Sequence, residues 1–268
     1  MAQNLIDRTL QTLSLMATEV DGISVTELSE RIGLPKGGAH RLLNELVRLD
    51  YVRQDPVSER YILTTRLISI GLAFLSASGI TDVMQPILDR LAEESGELVR
   101  LTVVDGDRLT WVAKAQGARS GLRYDPEMGG HPKLHCTATG QSWLASMSNE
   151  EALMLTAKEG FGKLSEHGPN APRTVTALLE ALELARANGY AHVDQAAEAG
   201  TAALAAVIRH PRSGAVIGTV SIAGPSSRLT GTRAHDLAPR LVSSARELEF
   251  ASVSAPALLQ PRRLQANN

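Results

Sequence analysis

The sequence predicts an α+β fold in two parts, and three observations predict it. Residues 24–61, SVTELSERIGLPKGGAHRLLNELVRLDYVRQDPVSERY, carry two short helical periods joined at a glycine, then two β-rich runs around a proline. Residues 64–78, TTRLISIGLAFLSAS, form one strongly apolar helical stretch. From residue 80 onward helical periods alternate with hairpin-linked strand runs, the pattern of an antiparallel or mixed sheet packed on helices. A chain of 268 residues is long enough for two such parts.

Residues 4–20 read as a leading helix, with Leu5, Ile6, Leu10, Leu13, Leu15 and Met16 largely on one side. Ser24 can cap the next helix, and Glu27 completes a capping box three residues on. Val25, Leu28 and Ile32 then fall on one face. Gly33 ends that helix, because glycine reaches the left-handed conformation cheaply. Leu34 plugs inward and Pro35 opens a second helix, where a missing N–H costs nothing. Helical spacing buries Ala39, Leu42, Leu43, Leu46 and Leu49 and leaves Lys36, Gly37, Gly38, His40, Arg41, Asn44 and Arg48 outside. Tyr51 to Gln54 and Arg60 to Leu63 flank a proline-containing turn and read as a hairpin.

Helix, turn, helix and hairpin in this order make a winged helix-turn-helix, a module that places its second helix in the DNA major groove. Asn44 and Arg41 are the expected base contacts, with Lys36, His40 and Arg60 on phosphate and Thr26, Gly37 and Gly38 beside them. Between Arg31 and Arg48 four Lys/Arg face one acid, yet residues 1–66 hold eight basic and nine acidic side chains. The positive charge is a local stripe, which is what phosphate contact requires.

Residues 64–79 read as a linker helix, too apolar to stand alone in water, packing on a partner chain or on the second domain. A further amphipathic helix spans 80–96, with Val83, Ile87, Leu88 and Leu91 inward. Strands are expected at 98–105 and 109–116, split by a turn at Gly106 and Asp107. A loop from His131 leads to a helix starting near Thr137. Helices follow at 149–158 and 174–188 around a loop at 160–172. A strand pair spans 202–209 and 215–223, and a closing helix spans 233–250. The expected division is a DNA-binding domain at 1–63, the linker at 64–79, a second domain at 80–252 and a flexible tail at 253–268.

Composition excludes several classes. Net charge is −2, so there is no bulk pull toward nucleic acid or membrane. Cys136 is the single cysteine, so no intrachain disulfide can form and a reducing compartment is expected. No apolar run reaches the roughly 18–20 residues of a membrane span, and no secretory signal opens the chain. The expected location is the cytoplasm. His131, His135 and Cys136 lie close in sequence, but a metal site needs a fourth ligand and a nucleophile needs an orienting group. Gly129-Gly130 and Gly214-Ala215 read as turns and fit no nucleotide fingerprint. No metal, cofactor or catalytic residue is assigned. Trp111 and Trp143 read as core or interface.

Four stretches together resemble the IclR family of bacterial transcriptional regulators. They are Leu34, Pro35, Lys36 with His40 to Leu43; Asp55, Pro56 with Arg60, Tyr61; Leu134 to Gly140 (LHCTATG); and Val220 to Pro225 (VSIAGP). The resemblance implies a winged helix, a linker helix and a GAF-like effector domain, assembled as dimers or dimers of dimers on palindromic DNA. It implies an effector pocket at Leu122, Tyr124, Ala138, Thr139, Gly140, Asp194, Ala203, Ser221 and Ala223. Backbone N–H groups of Ala138, Thr139 and Gly140 at a helix start would suit a carboxylate. Arg119, Arg123 and Asp125 border that pocket, where a solvated surface role outweighs an effector contact.

This chain departs from the family pattern in four places. Asp194 alone keeps the charge of an acidic run, Ala203 stands for a frequent cysteine, and Ala223 stands for a second serine. Gly37 and Gly38 replace small hydroxyl residues. The pocket is thereby less polar, which favours a larger, partly apolar and even aromatic acid. The expected function is a ligand-responsive DNA-binding regulator, a repressor of a catabolic operon, partnered by operator DNA, a small organic acid and a second copy of itself. Two other readings are an enzyme with a vestigial helix-turn-helix and a pure dimerisation scaffold. Turnover on candidate acids separates the first, and a mobility shift with upstream DNA separates the second.

Overall fold

A computed structural model of the chain describes residues 4–126 and 128–255. The chain divides at 75/76 into two units, inside the segment read as a linker. Of the expected tail at 253–268, residues 256–268 lie outside the described residues, and Val253 and Ser254 belong to a 3₁₀ turn, Ser252–Ser254.

The N-terminal unit begins with α1 (Leu5–Met16), capped by Asn4 in a reciprocal box with Asp7. In α2 (Val25–Ile32) Ser24 accepts from the Glu27 N–H and Glu27 accepts from the Ser24 N–H, while Gly33 closes the helix at φ 62°. The recognition-type helix α3 (Lys36–Arg48) follows. Strands β1 (Val52–Gln54) and β2 (Tyr61–Leu63) pair antiparallel, and Ile23 forms a separate antiparallel bridge with Tyr61. The core joins Met16, Ile23, Leu28, Ile32, Ala39, Leu42, Leu43, Leu46, Val52 and Tyr61. Leu49 was expected inside but is 42 % exposed, because α3 ends at Arg48 and the chain turns away there. Leu5, Ile6 and Leu10 of α1 are also exposed. From the hairpin the chain enters α4 (Arg66–Ser78), with Ile68, Ile70, Leu72 and Phe74 open to solvent.

The expected helix at 80–96 is two elements, a π-helical turn (Ile80–Met84) and then α5 (Gln85–Ser95). Five strands make one fully antiparallel sheet, β3 (Leu98–Asp105), β4 (Arg108–Gln116), β5 (Ala191–Asp194), β6 (Thr201–Arg209) and β7 (Val216–Pro225), in the order β4-β3-β7-β6-β5. Strand β5 escaped the sequence reading. Four residues are too few to establish a period, and only the ladder with β6 defines them. Helices α6 (Ala138–Leu144) and α8 (Val175–Asn188) cover one sheet face through Ala138, Ala185, Ala191, Val193 and Ala205, with α7 (Asn149–Glu159) beside them. Helices α5 and α9 (Gly231–Ala251) pack on the strands of the same sheet from its other side. Arg228 grips the buried Glu97 with two hydrogen bonds of 2.6 and 2.7 Å and donates to the Leu122 carbonyl, tying the end of β7 to the start of β3.

Candidate nucleic-acid interface and effector site

Two patches collect the predicted residues, one on each unit. On α3 the apolar positions are consumed by the core, so Lys36, His40, Arg41 and Asn44 remain exposed. Lys36, His40 and Asn44 sit on successive turns of one face, with the His40 ring 3.5 Å from the Asn44 amide. Arg41 Nε donates to the Gly37 carbonyl at 3.3 Å, and among the described residues its other donors have no hydrogen-bond partner. Thr26 is exposed on α2. Arg48 is held by Glu45, which keeps the Glu45 carboxyl below the usual range.

Arg60 corrects an expectation. Its guanidinium turns back to the Gly22 carbonyl at 2.8 and 3.1 Å and pairs with Glu27 at 2.9 Å. The same Glu27 caps α2, so Arg60 works as a strut between wing and helix instead of reaching outward. Gly37 has open space around it, and Gly38 lies against Leu34. Among the described residues nothing lies within 4 Å of a methyl group added at 37. Gly37→Ala is therefore expected to stabilise α3 by about 0.5 kcal/mol. Amide exchange along α3 should slow about twofold; unchanged or faster exchange refutes it.

On the second unit, strand register decides what shares a face. Ala203 lies opposite Ala223, Ala205 opposite Ser221, and Ser221 opposite Arg100. These side chains share the face that α6 covers. Ala223 and Ser221 are buried, and Ala203 is partly so. Tyr124 is half-buried nearby. Three predicted residues fall out. Asp194 pairs with Ala202, one residue out of phase with Ala203, and its side chain is exposed. A one-residue offset sends it to the other side of the sheet. Leu122 is 67 % exposed and contributes its carbonyl to Arg228. Gly140 gives its N–H to the Thr137 hydroxyl at 3.0 Å, so that donor is taken. Ala138 and Thr139 are buried in the same turn. Arg119 and Arg123 pair with Glu93 and Asp125 at the surface.

The residue that sequence reasoning missed is Arg100. Its guanidinium carbon lies 3.7 Å over the Trp111 ring and 5.9 Å from that of Tyr124. Among the described residues its buried Nε has no hydrogen-bond partner, nor has the Ser221 hydroxyl. Burial pulls Arg100 below its ordinary range, and the neighbouring Tyr124 hydroxyl pulls the other way. Burial raises Tyr124, with Arg100 opposing. The available signal was one arginine in the otherwise apolar run LVRLTVV.

The histidine and cysteine grouping also changes. His131 turns to the Leu109 carbonyl, whereas His135, Cys136 and His167 bring their donor atoms within 4.8 Å of one another. Cys136 Sγ is 3.7 Å from His167 Nδ1. Burial pushes the thiol up to about 12 and His135 down to about 4, so neither thiolate nor imidazolium forms near neutrality.

The family model for the bacterial transcriptional regulator IclR C-terminal domain matches residues 72–250. The model for the IclR helix-turn-helix domain matches residues 5–56. The chain belongs to the IclR family. It is 28 % identical over 251 residues to the transcriptional repressor IclR of Escherichia coli K12, covering 92 % of this chain and 89 % of that protein. Its fold is that of the IclR transcriptional regulator from Alicyclobacillus acidocaldarius, with TM-score 0.79, 23 % identity and coverage of 92 % and 98 %. An IclR homolog from Microbacterium hydrocarbonoxydans, solved with 4-hydroxybenzoate, superposes with TM-score 0.75 at 20 % identity, covering 94 % of this chain and all of that one. Membership makes this chain a DNA-binding transcriptional regulator, with the helix-turn-helix in its N-terminal unit.

Proposed function

We propose that this IclR-family regulator is a cytoplasmic repressor that binds a palindromic operator as a dimer or dimer of dimers and is controlled by a small, partly apolar organic acid. Residues 1–63 act on DNA, 64–79 link, and 80–252 hold the effector. The carrying observation is the split character of α3: its apolar side is spent on the core while Lys36, His40, Arg41 and Asn44 stand in solvent on the other. Arg41 and Asn44 read base edges, and Lys36 and His40 meet phosphate. Thr26, Gly37 and Gly38 border them. The exposed apolar residues of α1 and α4 favour a second copy as partner. Among the described residues no single helix is long and apolar enough to cross a membrane, which is compatible with the cytoplasm.

The effector acts through linkage, changing DNA affinity only as far as it prefers one arrangement of the assembly. An organic acid is favoured by the unpaired polar atoms among small apolar side chains at Ala203, Ser221 and Ala223. The Microbacterium homolog bound to 4-hydroxybenzoate supports an aromatic one.

The test is fluorescence anisotropy with DNA from upstream of the gene, against scrambled duplex. Arg41→Ala should weaken discrimination at one base pair by about 5- to 150-fold. Lys36→Ala should weaken all sequences alike and lower the salt slope by about one. No sequence-dependent binding by the parent chain would refute the reading.

A further inference from the structure

We infer that Arg100, with Ser221 beside it, is the anchor for the carboxylate of an aromatic monocarboxylic acid; this rests on the effector-controlled reading above and names its ligand class. Arg100 sits in β3 between Val99 and Leu101, both wholly buried. Five other arginines of this unit have acids, Arg228 with Glu97, Arg90 with Glu247, Arg119 with Glu93, Arg123 with Asp125 and Arg240 with Glu94, while Arg186, Arg209 and Arg233 donate to backbone carbonyls. Among the described residues Arg100 has no acid. Its Nε is buried and unpaired. A buried donor without an acceptor is costly, and a guanidinium fork matches a carboxylate with two parallel bonds.

Ser221 is the independent second observation. It is 1 % exposed, its hydroxyl has no partner, and the β3–β7 ladder sets it directly opposite Arg100. Two unsatisfied donors therefore share one sheet face, and one anion satisfies both.

The neighbours define the rest of the ligand. Trp111 stacks on the guanidinium at 3.7 Å and the Tyr124 ring lies 5.9 Å from it, which restricts the plane of the fork. Past Ser221 the floor is Ala203 and Ala223, small and without side-chain polar atoms. Asp194, the acid expected near this floor, lies out of phase with it and would not repel an anion there. A flat apolar body carrying one carboxylate meets these surfaces; a small polyhydroxylated acid would leave its hydroxyls unpaired.

The test is isothermal titration calorimetry on the full chain with benzoate, 4-hydroxybenzoate and phenylacetate, beside benzamide and acetate. The variants are Arg100→Gln, Arg100→Lys and Ser221→Ala, each checked for an unchanged melting curve. At least one aromatic acid should bind once per chain, with benzamide and acetate at least about tenfold weaker. Arg100→Gln should weaken that acid about 10- to 100-fold, Arg100→Lys less, and Ser221→Ala less again. Benzamide binding should not respond to Arg100→Gln. Equal binding of acid and amide, undiminished acid binding by Arg100→Gln, or no saturable binding of any of the three aromatic acids overturns the assignment. Operator binding by the parent chain is measured in parallel. Its survival in those cases leaves the regulator standing, and its absence removes the regulator reading instead.

Discussion

Gly140→Ala is expected to destabilise the C-terminal unit by about 3 kcal/mol or more. The third residue of α6 lies so close to the 134–135 segment that a methyl group would fall inside contact distance of Leu134 Cα and O and 2.7 Å from its carbonyl carbon. All three atoms are backbone. They cannot swing aside as a side-chain tip would, and Leu134 is itself buried in the cluster with Trp143, Leu144 and Leu178. Relief requires α6 to lift off the sheet, which opens the contacts of Ala138 with Val193 and Ala205. For a unit of this size the loss corresponds to a melting point about 6–12 °C lower. Trp111 and Trp143 both lie in this unit and report its unfolding. Gly37→Ala is the matched control, the same added methyl in open space. Melting of Gly140→Ala within a degree or two of the parent would show that the close approach is not a constraint.

That substitution marks where sequence reading stops. The helix-turn-helix was legible because its determinants are local. Ser24 and Glu27 are three residues apart, Gly33 sits one past the helix, and Leu42, Leu43 and Leu46 lie within two turns. The paired strands β3 and β4 were legible for the same reason, with Gly106 and Asp107 between them. Gly140 could be matched by resemblance, yet its reason is a backbone contact across a loop. Arg100 and Ser221 are 121 positions apart in numbering and meet only through the β3–β7 ladder. Arg60 was read as an outward cation, since nothing local announces that Gly22 and Glu27 will claim it. Asp194 failed by one residue of register, which a four-residue strand cannot reveal from its own pattern. Site geometry in this chain is set by nonlocal pairing, whereas its elements are set by caps and periods.

The same nonlocal packing predicts an acid response. His135 is 1 % exposed, neither ring nitrogen has a hydrogen-bond partner among the described residues, and its ring lies edge-on to Phe161 and to His167. Burial, then the neighbouring His167 and Lys133, hold its pKa down to about 4 against 6.5 in an unfolded chain. Between those values the unfolded chain binds the proton and the folded chain resists it. Stability therefore falls as pH drops from about 6.5 toward 4, by about 3 kcal/mol in full and about 2 kcal/mol by pH 5. His192, also lowered by burial, adds in the same direction. The carboxylates held below their usual range, such as Glu27, Asp55 and Asp107, act in a lower window, because their contribution is lost only as pH falls through values below about 4.5. The interval from pH 7 to 5 thus isolates the histidines. Urea unfolding followed by tryptophan fluorescence should show the parent losing stability across it. His135→Phe keeps a planar ring against Phe161 and His167 but cannot take a proton, so its curve should be flatter by about 2 kcal/mol at pH 5. Parallel curves for the two proteins would mean that His135 finds a proton-accepting partner or solvent when it charges, and the buried, unpartnered ring would no longer account for acid sensitivity.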